Sequence, residues 1–191
     1  MVNLVDREQI KMNLTKYWHT RGKVTITKTG VVNCTGDVML TSPHPLQQLP
    51  FAWGRVGGSF DISGMALTTL AGCPREVHGP VFTAQSNKLT NLEHGPVFVA
   101  GQYKVWGNNL TSLDGMPDHC KEFLFRYSPD LPLLQTLKAQ NIRPMCSIGD
   151  SLVCGKIREI LNKYAGTTNS ADILKCASEL NEAGFEGNAE W

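Results

Sequence analysis

Leu110-Thr-Ser-Leu113-Asp-Gly-Met-Pro117 is the stretch that decides the fold, because the chain has already used its layout twice. Leu67-Thr-Thr-Leu70-Ala-Gly-Cys-Pro74 has the same plan, and Leu89-Thr-Asn-Leu92 followed by Pro96 is a third version. Leu46/Leu49 and Leu131/Leu134 bring the Leu-x-x-Leu pairs to five, with first leucines 21, 22, 21 and 21 residues apart. A period in the low twenties belongs to leucine-rich and related solenoid repeats.

The register spreads outward from the leucines. Seven residues before each first leucine stands Phe60, Phe82, Tyr103 or Leu124, and two residues later Ile62, Ala84 or Val105. Such alternation predicts a short strand with one face turned inward. Asn87 and Asn108 precede their leucines by two residues, where a side-chain amide can satisfy turn backbone. Gly57, Gly58 and Gly101 are read as repeat turns with positive φ. Pro74, Pro96 and Pro117 close their copies. Each copy is therefore expected to run strand, turn, Leu-x-x-Leu segment and Pro/Gly return. One copy cannot bury its leucines alone, but stacked copies form an apolar column, each buried side chain contributing roughly 1.5–3 kcal/mol. The competing reading, an ordinary α+β core, does not account for five even spacings with in-register prolines. Arg126 falls where Ile62, Ala84 and Val105 sit, so either the register slips there or the solenoid ends.

The expected fold is an α/β repeat: a short leucine-rich-repeat-like solenoid of about five 21–22-residue units between helical caps. Residues 1–22 form the N-terminal capping helix, 23–144 the solenoid and 145–191 a C-terminal helical hairpin, in one domain. Ile10, Leu14, Tyr17 and Trp18 line one face of a helix over 6–18, with Asp6 and Gln9 at capping-box spacing. Val31, Val32, Val38 and Leu40 suggest a hairpin through Thr35-Gly36. Val153, Ile157, Ile160, Leu161 and Tyr164 mark a helix ending at Gly166, and Ser170 is placed to cap a second one ending near Gly184.

At 191 residues, 41% hydrophobic, 18% charged and net charge +1, the composition is that of an ordinary soluble domain. No apolar run reaches membrane-spanning length and residues 1–11 lack a signal core, so no membrane contact and a cytoplasmic location are expected. Cys34, Cys73, Cys120, Cys146, Cys154 and Cys176 lack Cys-x-x-Cys spacing and are expected reduced. His19, His44, His78, His94 and His119 are scattered, His78 and His94 opening matching His-Gly-Pro-Val-Phe strings in loops, so no metal is expected. Gly149-Asp150-Ser151-Leu152 matches an esterase nucleophile block, but no histidine follows Ser151 to act as base; a helix cap is the better reading. Asn13, Asn33 and Asn109 open glycosylation triplets, without meaning in a cytoplasmic chain. Lys156, Arg158 and Lys163 read as a solvated helix face. The chain is expected to have no catalytic residues and no cofactor.

Val56-Gly-Gly-Ser-Phe60, the Leu-Thr-x-Leu blocks, Gly36-Asp37-Val38, Ile160-Leu-Asn-Lys-Tyr164 and Ala183-Gly-Phe-Glu-Gly187 resemble a family of leucine-rich-repeat-like accessory proteins of large T-even-type tailed phages. The resemblance covers nearly the whole chain. It implies a non-enzymatic factor that binds and inhibits a host protein, a toxin or defence enzyme, in the host cytoplasm. At its most specific it implies an antidote to a DarT-type DNA ADP-ribosyltransferase. The alternative is a nucleic-acid-binding or virion-associated structural protein, against which the near-neutral charge argues.

Strand alternation predicts outward side chains at Asp61, Ser63, Thr83, Gln85, Lys104, Trp106, Phe125 and Tyr127. Lys104, Trp106, Phe125 and Tyr127, with Gln85 and Asp61 beside them, form the candidate protein-binding face, because aromatics with a basic neighbour are typical of hot spots. Packing of these aromatics beneath the C-terminal helices is the competing reading. Trp53 and Arg55 form a second candidate patch.

Overall fold

A computed structural model describes residues 7–146 and 151–190. Helix α1 (Arg7–Tyr17) leads into β1 (Trp18–Thr20), β2 (Val24–Ile26), β3 (Val32–Cys34) and β4 (Val38–Leu40). Then come β5 (Trp53–Val56), β6 (Phe60–Asp61), β7 (Glu76–Val77), β8 (Val81–Thr83), β9 (Phe98–Val99), β10 (Gln102–Lys104) and β11 (Glu122–Arg126). A 3-10 turn (Leu134–Lys138), β12 (Asn141–Met145), α2 (Ser151–Lys163) and α3 (Ser170–Glu182) complete the order, with a last 3-10 turn at Glu186–Asn188.

These strands wind into a β-solenoid of about five turns. A long sheet of seven strands runs β1-β4-β6-β8-β10-β11-β12, and a short sheet of five runs β2-β3-β5-β7-β9. All pairs are parallel except β1/β4 and β2/β3, where residues 18–26 run antiparallel across the first coil. The Leu-x-x-Leu segments form a third side. There Thr68 N donates to Gln47 O (2.9 Å), Lys88 N to Leu67 O (2.8 Å) and Thr111 N to Thr90 O (2.9 Å), tying each coil to the one before.

The return segments, expected as Pro/Gly loops, carry the short sheet. Val56, Val77 and Val99 are buried there in one register. The expected hairpin through Thr35-Gly36 is instead a corner: β3 and β4 lie in different sheets. Trp18 leaves the helix to open β1 against Leu40. The capping contact expected of Asp6 falls outside the described residues.

Phe60, Phe82, Tyr103, Phe123 and Ile142 occupy one register across the long sheet and are fully buried. The four aromatic rings form a column, with centroids 6.2 Å apart for Phe60/Phe82 and 4.7 Å for Phe82/Tyr103. Tyr103 is longer than its neighbours, and Gly95 makes room: a Cβ there would lie 2.7 Å from the buried hydroxyl.

Two further columns stitch coils together. Asn87 Oδ1 accepts from Met65 N and Leu67 N, both at 3.0 Å, while its Nδ2 donates to Ile62 O (2.9 Å) and Ala84 O (3.1 Å). Asn108 repeats this, accepting from Leu89 N (3.1 Å) and donating to Ala84 O (2.9 Å) and Val105 O (2.7 Å). At the corner between sheets, Gly36, Gly58, Gly79 and Gly101 form the second column. Positive φ was expected of Gly57, Gly58 and Gly101, but none of them adopts it. Close approach is the reason for glycine here: a Cβ on Gly79 would lie 2.0 Å from Gly58 C, and one on Gly101 2.0 Å from Pro80 O.

Helix α1 packs on β1, and α2 on β12. Asn162 of α2 accepts from Ile142 N and donates to Ile142 O, both at 2.8 Å, so its amide pairs with the outer strand as a further strand would. The N-cap of α3 is Asn169, whose Oδ1 accepts from Ala171 N, rather than Ser170. Its C-terminus closes with Gly184 N donating to Asn181 O and Phe185 N to Leu180 O, Gly184 taking φ +82°.

All six cysteines were expected reduced, but Cys146 and Cys154 form a disulfide with Cα atoms 6.0 Å apart. It fastens the end of β12 to α2. With eight residues of sequence separation, loop closure gives it about 2.5 kcal/mol of stabilisation. Reduction, or Cys154→Ser, is expected to lower the melting temperature by several degrees in a scan with and without dithiothreitol. Identical melting curves would show that α2 holds to β12 without the bridge.

Candidate protein-docking face

The site depends on a one-residue slip. Tyr103 pairs with Phe123, not Leu124, so the inward residues of β11 are Phe123 and Phe125. Phe123 stands eight residues before Leu131, whereas Phe60, Phe82 and Tyr103 stand seven before their leucines. The slip buries two phenylalanines and turns Leu124 and Arg126 outward; the unshifted register would bury Leu124 and Arg126 instead. Phe125, expected on the binding face, is therefore a core residue.

What replaces it is a pair of outward rows across β10, β11 and β12. Lys104, Leu124 and Arg143 form one, in direct strand register. Two residues on, Arg126 pairs directly with Met145, and Trp106 stands in the turn after β10, two residues past Lys104 as Arg126 stands two past Leu124. Trp106 is 40% and Met145 44% exposed, large values for such apolar side chains. Arg126 is exposed and makes no ion pair among the described residues. Arg143 Nη1 lies 3.1 Å from Glu122 Oε1, and Asn141 Nδ2 donates to the same oxygen at 3.0 Å. Gln102 Nε2 donates to the other carboxylate oxygen. Glu122, 9% exposed, is thus a shared anchor beneath the rows.

The remaining expected residues are spread over the same sheet. Asp61 and Lys104 share a row through Thr83, two strand spacings or about 10 Å apart. Asp61 is half-buried, its carboxylate accepting from Ser63 N at 2.9 Å. Gln85 and Lys104 are half-buried. Tyr127 is half-buried and donates from its hydroxyl to Asn188 Oδ1 (3.1 Å), so it anchors the C-terminal turn. Trp53 is buried in a cluster with Trp18, Phe51 and Phe60, leaving Arg55 alone of the second patch at the surface. The sequence reading missed Leu124, Arg126, Arg143 and Met145. The Phe-x-Phe spacing at 123 and 125 was the signal that would have found the first two.

Elsewhere the chemistry is muted. Burial pushes the Cys120 and Cys176 thiols up to about 12 and the Cys73 thiol higher still, which keeps them protonated and poor nucleophiles. Among the described residues no group of three His, Cys, Asp or Glu side chains is arranged to hold a metal ion. No described helix is long and apolar enough to cross a membrane. The two His-Gly-Pro-Val-Phe strings sit at different corners: His78 lies between β7 and β8, 2.9 Å from Glu76 Oε2, and His94 precedes β9. A cleft of about 700 Å³ lies between α1 and the strands β1 and β2. Its cations are engaged, Lys11 with Glu8 at 2.6 Å and Arg7 with Ile26 O.

In comparisons with known proteins, no family model, no curated protein and no solved structure matches this chain.

Proposed function

We propose that this chain is a non-enzymatic protein-binding factor that acts by occupying a surface of another protein. The observation that carries the reading is the Arg126–Met145 pair beside the Lys104, Leu124 and Arg143 row, with the exposed Trp106 two residues past Lys104. An exposed tryptophan beside a sheet face that carries cationic and thioether side chains has the composition of an interface core.

The finer parts of the proposal rest on other support. The leucine-rich-repeat-like description follows from the period and the buried leucine column. The role of α1, α2 and α3 as caps follows from the need of end coils to cover their cores. Inhibition of a host toxin or defence enzyme in a phage-infected cell, with a DarT-type DNA ADP-ribosyltransferase as the most specific target, is supported by the resemblance of the repeat blocks. A nucleic acid is the weaker partner: the face carries three cations, and one of them is already paired with Glu122.

Trp106→Ala is expected to weaken partner binding about 30-fold, the ~2 kcal/mol of a hot spot, without changing the melting temperature. Titration of both proteins against the captured partner measures this. Undiminished affinity in the folded variant would remove the face from the account.

A further inference from the structure

The asparagine column is interrupted where the docking face ends. Asn87 supplies an acceptor to Leu67 N and Asn108 supplies one to Leu89 N. The residue at the same place for Leu110 is Pro129, which has no side-chain acceptor. The column resumes only at Asn188, whose Nδ2 donates to Ser128 O (3.0 Å) and Leu131 O (2.8 Å) from the C-terminal turn. At the interruption lies a cleft of about 390 Å³, between residues 108–111 of one coil and 126–129 of the next. The slip in β11 contributes to it, since it adds a residue between the strand and Leu131.

The chemistry of this cleft is one-sided. Arg126 lines it, along with Asn108, Asn109, Thr111 and Ser128, and no acidic side chain does. Asp130, the next residue, is exposed and outside the lining. The cleft therefore offers the Arg126 guanidinium, which makes no ion pair among the described residues, the exposed Asn109 amide, the Ser128 hydroxyl, and a backbone position that the repeat elsewhere provides with an oxygen. Arg126 also pairs with Met145 on the outward face, and Trp106 precedes the lining residue Asn108 by two positions. Trp106 and the cleft are therefore adjoining parts of one surface.

We infer that this cleft takes a carboxylate side chain from an acidic, extended segment of the partner protein, with Trp106 packing against the apolar part of the same segment. A carboxylate matches the planar fork of Arg126 and can accept further hydrogen bonds from the cleft. A point cation such as lysine would not select a planar anion in this way. The inference rests on the proposed docking face and adds the chemistry of what docks there.

The test uses the intact protein, labelled with nitrogen-15, and two capped decapeptides, one rich in glutamate and the other with glutamine at each of those positions. With the glutamate peptide, the Leu110 amide and the Arg126 Nε resonances are expected to shift saturably. With the glutamine peptide they are expected to stay in place. Arg126→Gln should reduce the glutamate-peptide affinity at least tenfold while leaving the rest of the spectrum unchanged. Equal response to both peptides, no response at Leu110 and Arg126, or a response only to a dT10 oligonucleotide would each overturn the inference. Failure here together with loss of partner capture by Trp106→Ala would leave the docking face standing and remove only the carboxylate pocket.

Discussion

Alanine at position 79 is expected to destabilise the protein by more than about 3 kcal/mol, enough to abolish the folded state of a marginal domain. Gly79 sits in the corner column, its N donating to Gly58 O at 3.2 Å, and an added Cβ would meet Gly58 C at 2.0 Å and Ser59 N at 2.4 Å. Both are backbone atoms, so no rotamer change relieves the contact. The coils would have to part at that corner, breaking the parallel pairing of β6 with β8 on one side and β5 with β7 on the other. Gly155→Ala provides the contrast. Gly155 lies inside α2 with nothing within 4 Å of its Cβ position, so the same substitution should stabilise by about 0.5–1 kcal/mol. Urea denaturation of the two variants reads the difference in sign. A Gly79→Ala variant as stable as the wild type would mean that successive coils are not in backbone contact at this corner.

The second large effect is expected at Asn108. Its amide makes three hydrogen bonds to main-chain groups of two coils, and the residue is 1% exposed. Asn108→Ala leaves Leu89 N and Val105 O without a partner inside the solenoid, while Ala84 O keeps the Nδ2 of Asn87. Each buried orphan costs about 1–3 kcal/mol, so a total loss of about 3 kcal/mol or more is expected. The adjacent Asn109 is exposed, and Asn109→Ala should lie within about 0.5 kcal/mol of wild type. Near-equal denaturation midpoints for the two alanine variants would show that the asparagine column does not hold the coils together.

The repeat, its buried leucines and the placement of Asn87 and Asn108 were legible in the sequence because each is a periodic requirement. A residue that must contact its copy in the next coil recurs at the coil length. The short sheet escaped because Val56, Val77 and Val99 are each followed two residues later by a glycine (Gly58, Gly79, Gly101), which leaves no apolar alternation to read. The glycine column was visible but assigned the wrong cause, since sequence alone does not separate positive φ from close approach. The face was half legible. Trp106 and Lys104 were found by counting from the leucines, and Phe125 was lost by the same counting, because the added residue lies between β11 and Leu131. Arg126 marked the slip; its exclusion from a buried position outweighs the regularity of the period. The cleft beside it was beyond pattern reading, because it arises from an asparagine that is missing.

The most direct measurement replaces Trp106, Arg126 and, as a control on the short sheet, Arg55 with a photoreactive phenylalanine analogue in cells that contain the partner. The account predicts a covalent protein adduct from positions 106 and 126 and none from position 55. Adducts from position 55 alone, or from none of the three while the folded protein still captures its partner, would contradict it.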